Sequence, residues 1–248
     1  MATTAVAPAS VLSGSKTQTA PGGNIRLYAT SDGASLSSFQ SANHITISGT
    51  LGGNMIAVSS LNGTDWFGSA DNTSYGANDL ANQWFNDFLS FYNFNAVLTE
   101  AGYGSQINSQ RLGLFTAFLN NPGQGGFQHL SGPSVSYVQE DSTTGQVNIG
   151  LADTDGFLYP LIKAYVTTYA PNVLPYLPSD IYASKAVLVS EGGQPATAFY
   201  SFSADPSGLA TTDGTNSDNL EFQVSVPEPA SVSILFLAGP MLLARRRK

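Results

Sequence analysis

From Ile25 onward, apolar and polar positions follow two different periods in turn. Ile25, Leu27 and Ala29 fall on one side of a short extended segment. Ile45 and Ile47 alternate with Thr46 and Ser48, and Met55 to Leu61 is a second strand-like run that Asn62-Gly63 stops. Gly49 to Asn54 (GTLGGN) between the two has turn chemistry, so residues 43–61 read as a β-hairpin. At Asn78 the period lengthens. Leu80, Trp84, Phe88 and either Phe91 or Tyr92 recur at helical spacing, with Ala81 and Phe85 beside them and Asn78 or Asp79 placed to cap the start. Asn108 to Asn120 predicts a second helix, with Leu112, Phe115 and Leu119 on one stripe and Asn120-Asn121-Pro122-Gly123 at its end. Aromatic stripes of this kind face a core far more often than a ligand.

Alternation then returns. Val135, Tyr137 and Gln139 lead into Asp141-Ser142-Thr143-Thr144-Gly145, and Val147, Ile149 and Leu151 lead back, which is the pattern of a second hairpin. Phe157 to Tyr169 predicts a third helix, its start restricted by Pro160. Ile181 to Val189, Ala196 to Ser203 and Leu220 to Val226 read as strands, the first two joined by Glu191-Gly192-Gly193-Gln194-Pro195. Strands and helices come in groups and do not alternate one for one. The fold class expected is therefore α+β, with mainly antiparallel sheets and about three amphipathic helices. Residues 1–23, rich in Ala, Thr, Ser, Gly and Pro, read as a disordered segment, and residues 24–226 as a single domain.

Composition narrows the partners. Charged residues make up 10% of the chain against about 25% in ordinary soluble domains, and polarity rests on Ser, Thr, Asn, Gln and Gly. Four of the nine cations are the last four residues. The remaining five face 17 carboxylates, a formal net charge of −12. A surface of that sign repels nucleic acid and anionic lipid, but tolerates divalent cations and neutral sugars. There is no cysteine, so disulfides, thiolate nucleophiles and Cys-type zinc sites are excluded.

The segment from Pro227 has three parts. Pro227-Glu228-Pro229 holds the backbone extended, although Pro229 could open a following helix. Ala230 to Ala244 is an uncharged run of 15 residues rich in Leu, Ile, Val, Phe and Ala, and Arg245-Arg246-Arg247-Lys248 follows it. The run is shorter than the ~20 residues a spanning helix needs, and Pro240 interrupts it. The cations would stay in cytoplasmic water and orient the segment, with the body on the other side.

This tail resembles the PEP-CTERM sorting signal of exported bacterial proteins. The resemblance implies a C-terminal hydrophobic sorting helix over residues 227–248 with Pro227, Glu228, Pro229, Arg245, Arg246, Arg247 and Lys248 as the signal. It further implies transient anchoring in the inner membrane, removal of the tag by an exosortase-type processing enzyme, and delivery to the cell surface or extracellular matrix, often beside exopolysaccharide. In the body, the order WFNDFLSFYNF, SVSYVQED, FYSFSADPSGL also looks like that of PEP-CTERM proteins to which no activity is attached. Met1 to Ser15 has neither a basic n-region nor an apolar h-region, while Ala5-Val6-Ala7 and Ala7-Pro8-Ala9 look like the small-residue end of a signal peptide. The expectation is a true start upstream of Met1.

Candidate chemistry is sparse. Asp153-Thr154-Asp155-Gly156 is the most metal-like fragment, with Asp153 and Asp155 as candidate calcium ligands. It lacks the third oxygen ligand and distal Glu of a complete loop, and a solvated turn is the rival reading. Asp213 to Asn219 is a second oxygen-rich loop of the same kind. His44 and His129 are the only imidazoles, and neither sits in a nucleophile elbow or a metal-ligand motif. Glu140-Asp141 are adjacent, unlike the separated carboxylates of a glycosidase. Trp66, in a Gly/Asp/Asn-rich stretch, is the candidate for stacking on a sugar ring. The reading is a non-enzymatic structural or interaction protein without a catalytic set and without a cofactor other than the candidate calcium. A neutral-glycan (exopolysaccharide) binding module is the alternative, and a carboxylate-dependent hydrolase the least favoured.

Overall fold

A computed structural model describes residues 11–13, 16–19, 25–28, 44–51, 53–68, 73–121, 126–131, 135–140, 143–144, 147–152, 154, 156–203 and 221–225. The strands are β1 (Val11–Ser13), β2 (Lys16–Thr19), β3 (Ile25–Tyr28), β4 (His44–Leu51), β5 (Asn54–Ser60), β6 (Val135–Glu140), β7 (Val147–Ala152), β8 (Val187–Glu191), β9 (Thr197–Phe199) and β10 (Glu221–Ser225). The helices are α1 (Gly63–Phe67), α2 (Leu80–Phe91), α3 (Phe94–Glu100), α4 (Ile107–Leu119), α5 (Gly126–Leu130) and α6 (Leu158–Tyr169), with 3-10 turns at Gly104–Gln106 and Pro171–Tyr176. The fold is α+β.

The strands form two five-stranded sheets, ordered β1-β4-β5-β8-β9 and β10-β7-β6-β3-β2. Every pairing is antiparallel except β1 with β4, which is parallel. The β4–β5 hairpin closes with Leu51 opposite Asn54, and Gly53 takes φ 82, a backbone region open to glycine at no steric cost. Ile56, Val58 and Ser60 alternate into the interior from β5, and Val187 and Val189 do so from β8. The second hairpin pairs Glu140 with Val147 and carries a register shift between Val135 and Tyr137.

Local chemistry explains the helix starts. Asn62 accepts from the N–H groups of Thr64 and Asp65 at 2.9 and 3.1 Å, and Asp65 Oδ2 accepts from Asn62 N–H at 2.7 Å, a reciprocal cap that begins α1. Asp79 Oδ1 accepts from Asn82 N–H at 2.8 Å and starts α2. The Asn82 amide is buried. It accepts from Gly76 N–H at 2.7 Å and donates to Ser74 O at 3.0 Å, tying the preceding loop to the helix. Between α2 and α3, Asn93 turns the chain through the left-handed region at φ 50.

The helices and the loops around them enclose an aromatic core. Trp84 is its centre, stacked on Phe88 (5.3 Å, 6°) and Phe118 (5.3 Å, 24°) and met edge-on by Phe127 and Phe202. Phe118 and Phe127 approach to 4.8 Å at 78°. These tilted and offset arrangements suit the ring quadrupoles and add to plain burial.

Three expectations need adjusting. Within residues 1–23, read as disordered, β1 and β2 form strands, because pairing with β4 and β3 supplies partners that composition cannot reveal. Ile181 to Val189 is extended strand only from Val187. Upstream of it, backbone bonds run to three separate places: Thr154 N–H to Ala183 O, Ser184 N–H to Ser201 O and Ala186 N–H to Leu130 O. Short helices α1, α3 and α5 join the three expected ones. Among the described residues no helix is long and apolar enough to cross a membrane, and the expected sorting helix at residues 227–248 lies outside them.

Candidate functional site

Helical periodicity places Asp87, Ser90 and Phe91 on one face near the end of α2. Residues Tyr200 to Ser203, which leave β9, run alongside that face. The two segments enclose an open cleft of about 480 Å³ lined by Asp87, Ser90, Phe91, Tyr200, Ser201, Phe202 and Ser203. Its floor is continuous with the core, since Phe202 meets Trp84 at 5.5 Å and 65° and Phe88 at 5.6 Å and 66°. Phe91 tilts over Phe202 at 5.6 Å and 46° while remaining 53% exposed. Tyr200 also packs against Phe202, at 5.7 Å and 50°. The floor is thus rigid and aromatic, and its outermost ring is half open to solvent.

Polar groups edge this floor. Tyr200 O–H donates to Asp87 Oδ2 at 2.7 Å, a charge-assisted bond that ties the two walls together. Burial, then this hydrogen bond and the charge of Asp87, push the Tyr200 phenol well above its ordinary range, so it stays protonated. Ser201 Oγ is held in a local turn, accepting from Ser203 N–H at 3.1 Å and donating to Ser203 O at 3.0 Å. Ser184 Oγ accepts from Ser201 N–H at 2.8 Å and anchors that turn to the interior. The lining residues include one carboxylate and no cation.

The residues singled out by sequence lie elsewhere. Trp66 belongs to α1 and is 1% exposed. Its ring packs on Phe127 at 5.0 Å, and its Nε1–H donates to Ser131 Oγ. Both ring faces are covered, so the expected stacking on a sugar has no open surface at this position. Asp153 and Asp155 lie outside the described residues. Thr154 between them is buried, with its N–H donating to Ala183 O at 3.2 Å. Among the described residues no group of three metal-ligating side chains is present. The loop Asp213 to Asn219 and the tail residues Pro227, Glu228, Pro229, Arg245, Arg246, Arg247 and Lys248 are also outside the described part.

His44 opens β4. His129 lies in the last turn of α5, with its ring stacked on Phe157 at 4.3 Å and 12°. Its carbonyl accepts from the buried Lys185 Nζ at 2.6 Å. Sequence reasoning left Phe91 and Tyr92 as interchangeable members of the α2 stripe. In the structure Tyr92 turns inward, its hydroxyl donating to Tyr182 O at 2.9 Å and accepting from Tyr182 N–H at 2.8 Å, while Phe91 turns outward into the cleft. The run Phe199-Tyr200-Ser201-Phe202-Ser203, with aromatic and serine residues interleaved, was the signal available for the other wall. No family model, no curated protein and no solved structure matches this chain.

Proposed function

We propose that this chain is an exported protein of the cell surface or extracellular matrix, carried there with a removable C-terminal tag, and that it acts by interaction and not by catalysis. One observation carries the reading: the ordered succession of Pro227-Glu228-Pro229, the uncharged run Ala230 to Ala244 and Arg245-Arg246-Arg247-Lys248. A 15-residue run broken by Pro240 is awkward as a permanent anchor and adequate as a transient one. Each Arg or Lys at the bilayer centre costs about 2.5–3.5 kcal/mol on the insertion scale, so the four together keep that end in the cytoplasm and leave the body on the far side. The cysteine-free, cation-poor composition of the body is compatible with that destination.

The test is the intact mass of the exported form in a host that carries an exosortase-type enzyme. The expected species ends near Pro229. Replacing Arg245, Arg246, Arg247 and Lys248 with serine should impair processing or retention. An exported form that keeps Arg245 to Lys248, or processing unchanged after the replacement, would overturn the reading.

A further inference from the structure

We propose that the cleft between α2 and Tyr200–Ser203 binds a neutral saccharide chain. The assignment comes from eliminating ligand classes against the chemistry of the walls. A purely apolar peptide would cover Phe91 and Phe202, but would strip water from Asp87 and offer it no donor. Tyr200 would still serve Oδ2, but Oδ1 would be left desolvated without a donor, which is unfavourable. An anionic polymer would meet Asp87 in a cleft with no cation, on a chain that carries 17 carboxylates against five cations outside the terminal cluster. A lone carboxylate is too few oxygen ligands for a hard cation.

A neutral polyol satisfies both walls at once. Its C–H face covers the exposed side of Phe91 and the rim of Tyr200, where aromatic rings offer large apolar area with little entropy to lose. Its hydroxyls are both donors and acceptors, so one can donate to the free oxygen of Asp87. Among the described residues Asp87 Oδ1 has no partner, because Tyr200 uses Oδ2. The Tyr200 oxygen, with its proton committed to Asp87, presents lone pairs to a second sugar hydroxyl. Ser90 and Ser203 at the exposed edges add further hydroxyl partners. The Asp87–Tyr200 bond is already formed, so the polar edge is organised before a ligand arrives. An open cleft suits an internal stretch of a chain as well as its end.

This inference goes beyond the sorting proposal and does not depend on it. The cleft lies within residues 87–203, and tail processing can fail while saccharide binding persists. The probe set is soluble and defined: a β-glucan, an α-glucan and a galactomannan as neutral polymers, with a polyuronate as the anionic comparison. Affinity electrophoresis of the full chain in mild detergent, in gels containing each polymer, reads retardation. The expected result is retardation by at least one neutral polymer and none by the polyuronate.

Phe91→Ala and Asp87→Asn should each weaken that retardation at least about tenfold. Tyr169→Ala, at an aromatic residue that is 63% exposed on α6, should leave it unchanged. Circular dichroism distinguishes lost binding from lost folding. Should Phe91→Ala unfold, Ser90→Arg on the exposed face of α2 is the second variant, expected to block the cleft. Retardation that survives both Phe91→Ala and Ser90→Arg in folded protein, no retardation by any neutral polymer, or stronger binding to the polyuronate would each overturn the proposal. So would a concentration-dependent dimer abolished by Phe91→Ala, which would make the cleft a surface for a second copy.

Discussion

Gly113→Ala should destabilise this protein, against the rule that alanine improves a helix. In a solvent-facing helix interior the exchange gains about 0.8–1.0 kcal/mol. Gly113, however, lies in α4 where the Tyr165 ring of α6 crosses it. An added Cβ would overlap Tyr165 Oη and stand 3.0 and 3.2 Å from its Cζ and Cε2. Tyr165 is buried and cannot swing outward freely. Its single O–H proton is shared between Gln110 O at 3.2 Å and Gln110 Oε1 at 3.1 Å, and moving the ring breaks that bonding. Overpacking costs roughly 1–3 kcal/mol and the lost hydroxyl bonding roughly 0.5–1.5. Set against the helix gain of about 1, the net destabilisation centres near 1.5–2 kcal/mol.

The assay is urea unfolding of the full chain followed by tryptophan fluorescence, since Trp66 and Trp84 both sit in the core and report its loss. With an m-value of about 2–3 kcal/mol/M, the midpoint should fall by roughly 0.5–1 M. Tyr165→Phe removes the clashing oxygen, so Gly113→Ala in that background should cost far less or nothing, giving a coupling of about 1 kcal/mol or more. A midpoint that rises in the Gly113→Ala protein, or an equal shift in both backgrounds, would show that the glycine notch does not set how α4 meets α6.

Two further outcomes follow from the same packing. Gly126→Ala should be the more severe change, about 3 kcal/mol or more, because its Cβ would stand 2.5 Å from Phe118 ring carbons and 2.6 Å from the Phe118 carbonyl oxygen, and backbone gives way less easily than a side chain; a midpoint loss smaller than that of Gly113→Ala would refute this. Stability should also fall on the alkaline side. Burial raises the Tyr165 and Tyr200 phenols above their ordinary 10.0, so above that pH the unfolded chain loses protons the folded chain keeps; their contribution is complete below pH 10 and is lost as pH rises, and Tyr200→Phe should make the decline in urea midpoint between pH 9.5 and 11 shallower.

What the sequence discloses is what period and caps encode. Leu80, Trp84 and Phe88 announce α2 because one stripe of a helix is buried. Trp66 shows the limit of reading by neighbours. Gly63 and Asp65 make its surroundings look like a loop, yet Asn62 and Asp65 are the two halves of a helix cap and turn the indole inward. The Asn-x-x-Asp spacing was the available clue. The meeting of the cleft's two walls was not legible, since it runs through a Tyr200–Asp87 bond between positions 113 apart, which no local pattern encodes. Nor could periodicity choose between Phe91 and Tyr92. That choice depends on Tyr182, whose backbone accepts from and donates to the Tyr92 hydroxyl.

The order of strands in the first sheet also sets a timetable. Strand β5 lies between β4, its immediate neighbour in sequence, and β8, whose Glu191 accepts a bond from Asn54 across 137 positions of chain. The six helices among the described residues are all made in between. At a synthesis rate of about 5–20 residues per second, one edge of β5 therefore waits roughly 7–27 s for its partner. Through that interval its backbone donors and acceptors, with Ile56 and Val58 beside them, are open to any other strand. A sheet that closes last is slow to form. For the export proposed above the delay is useful, because a body that cannot finish folding until residue 191 has been made remains threadable until then. The same delay makes this edge the place where a holding chaperone has most to protect.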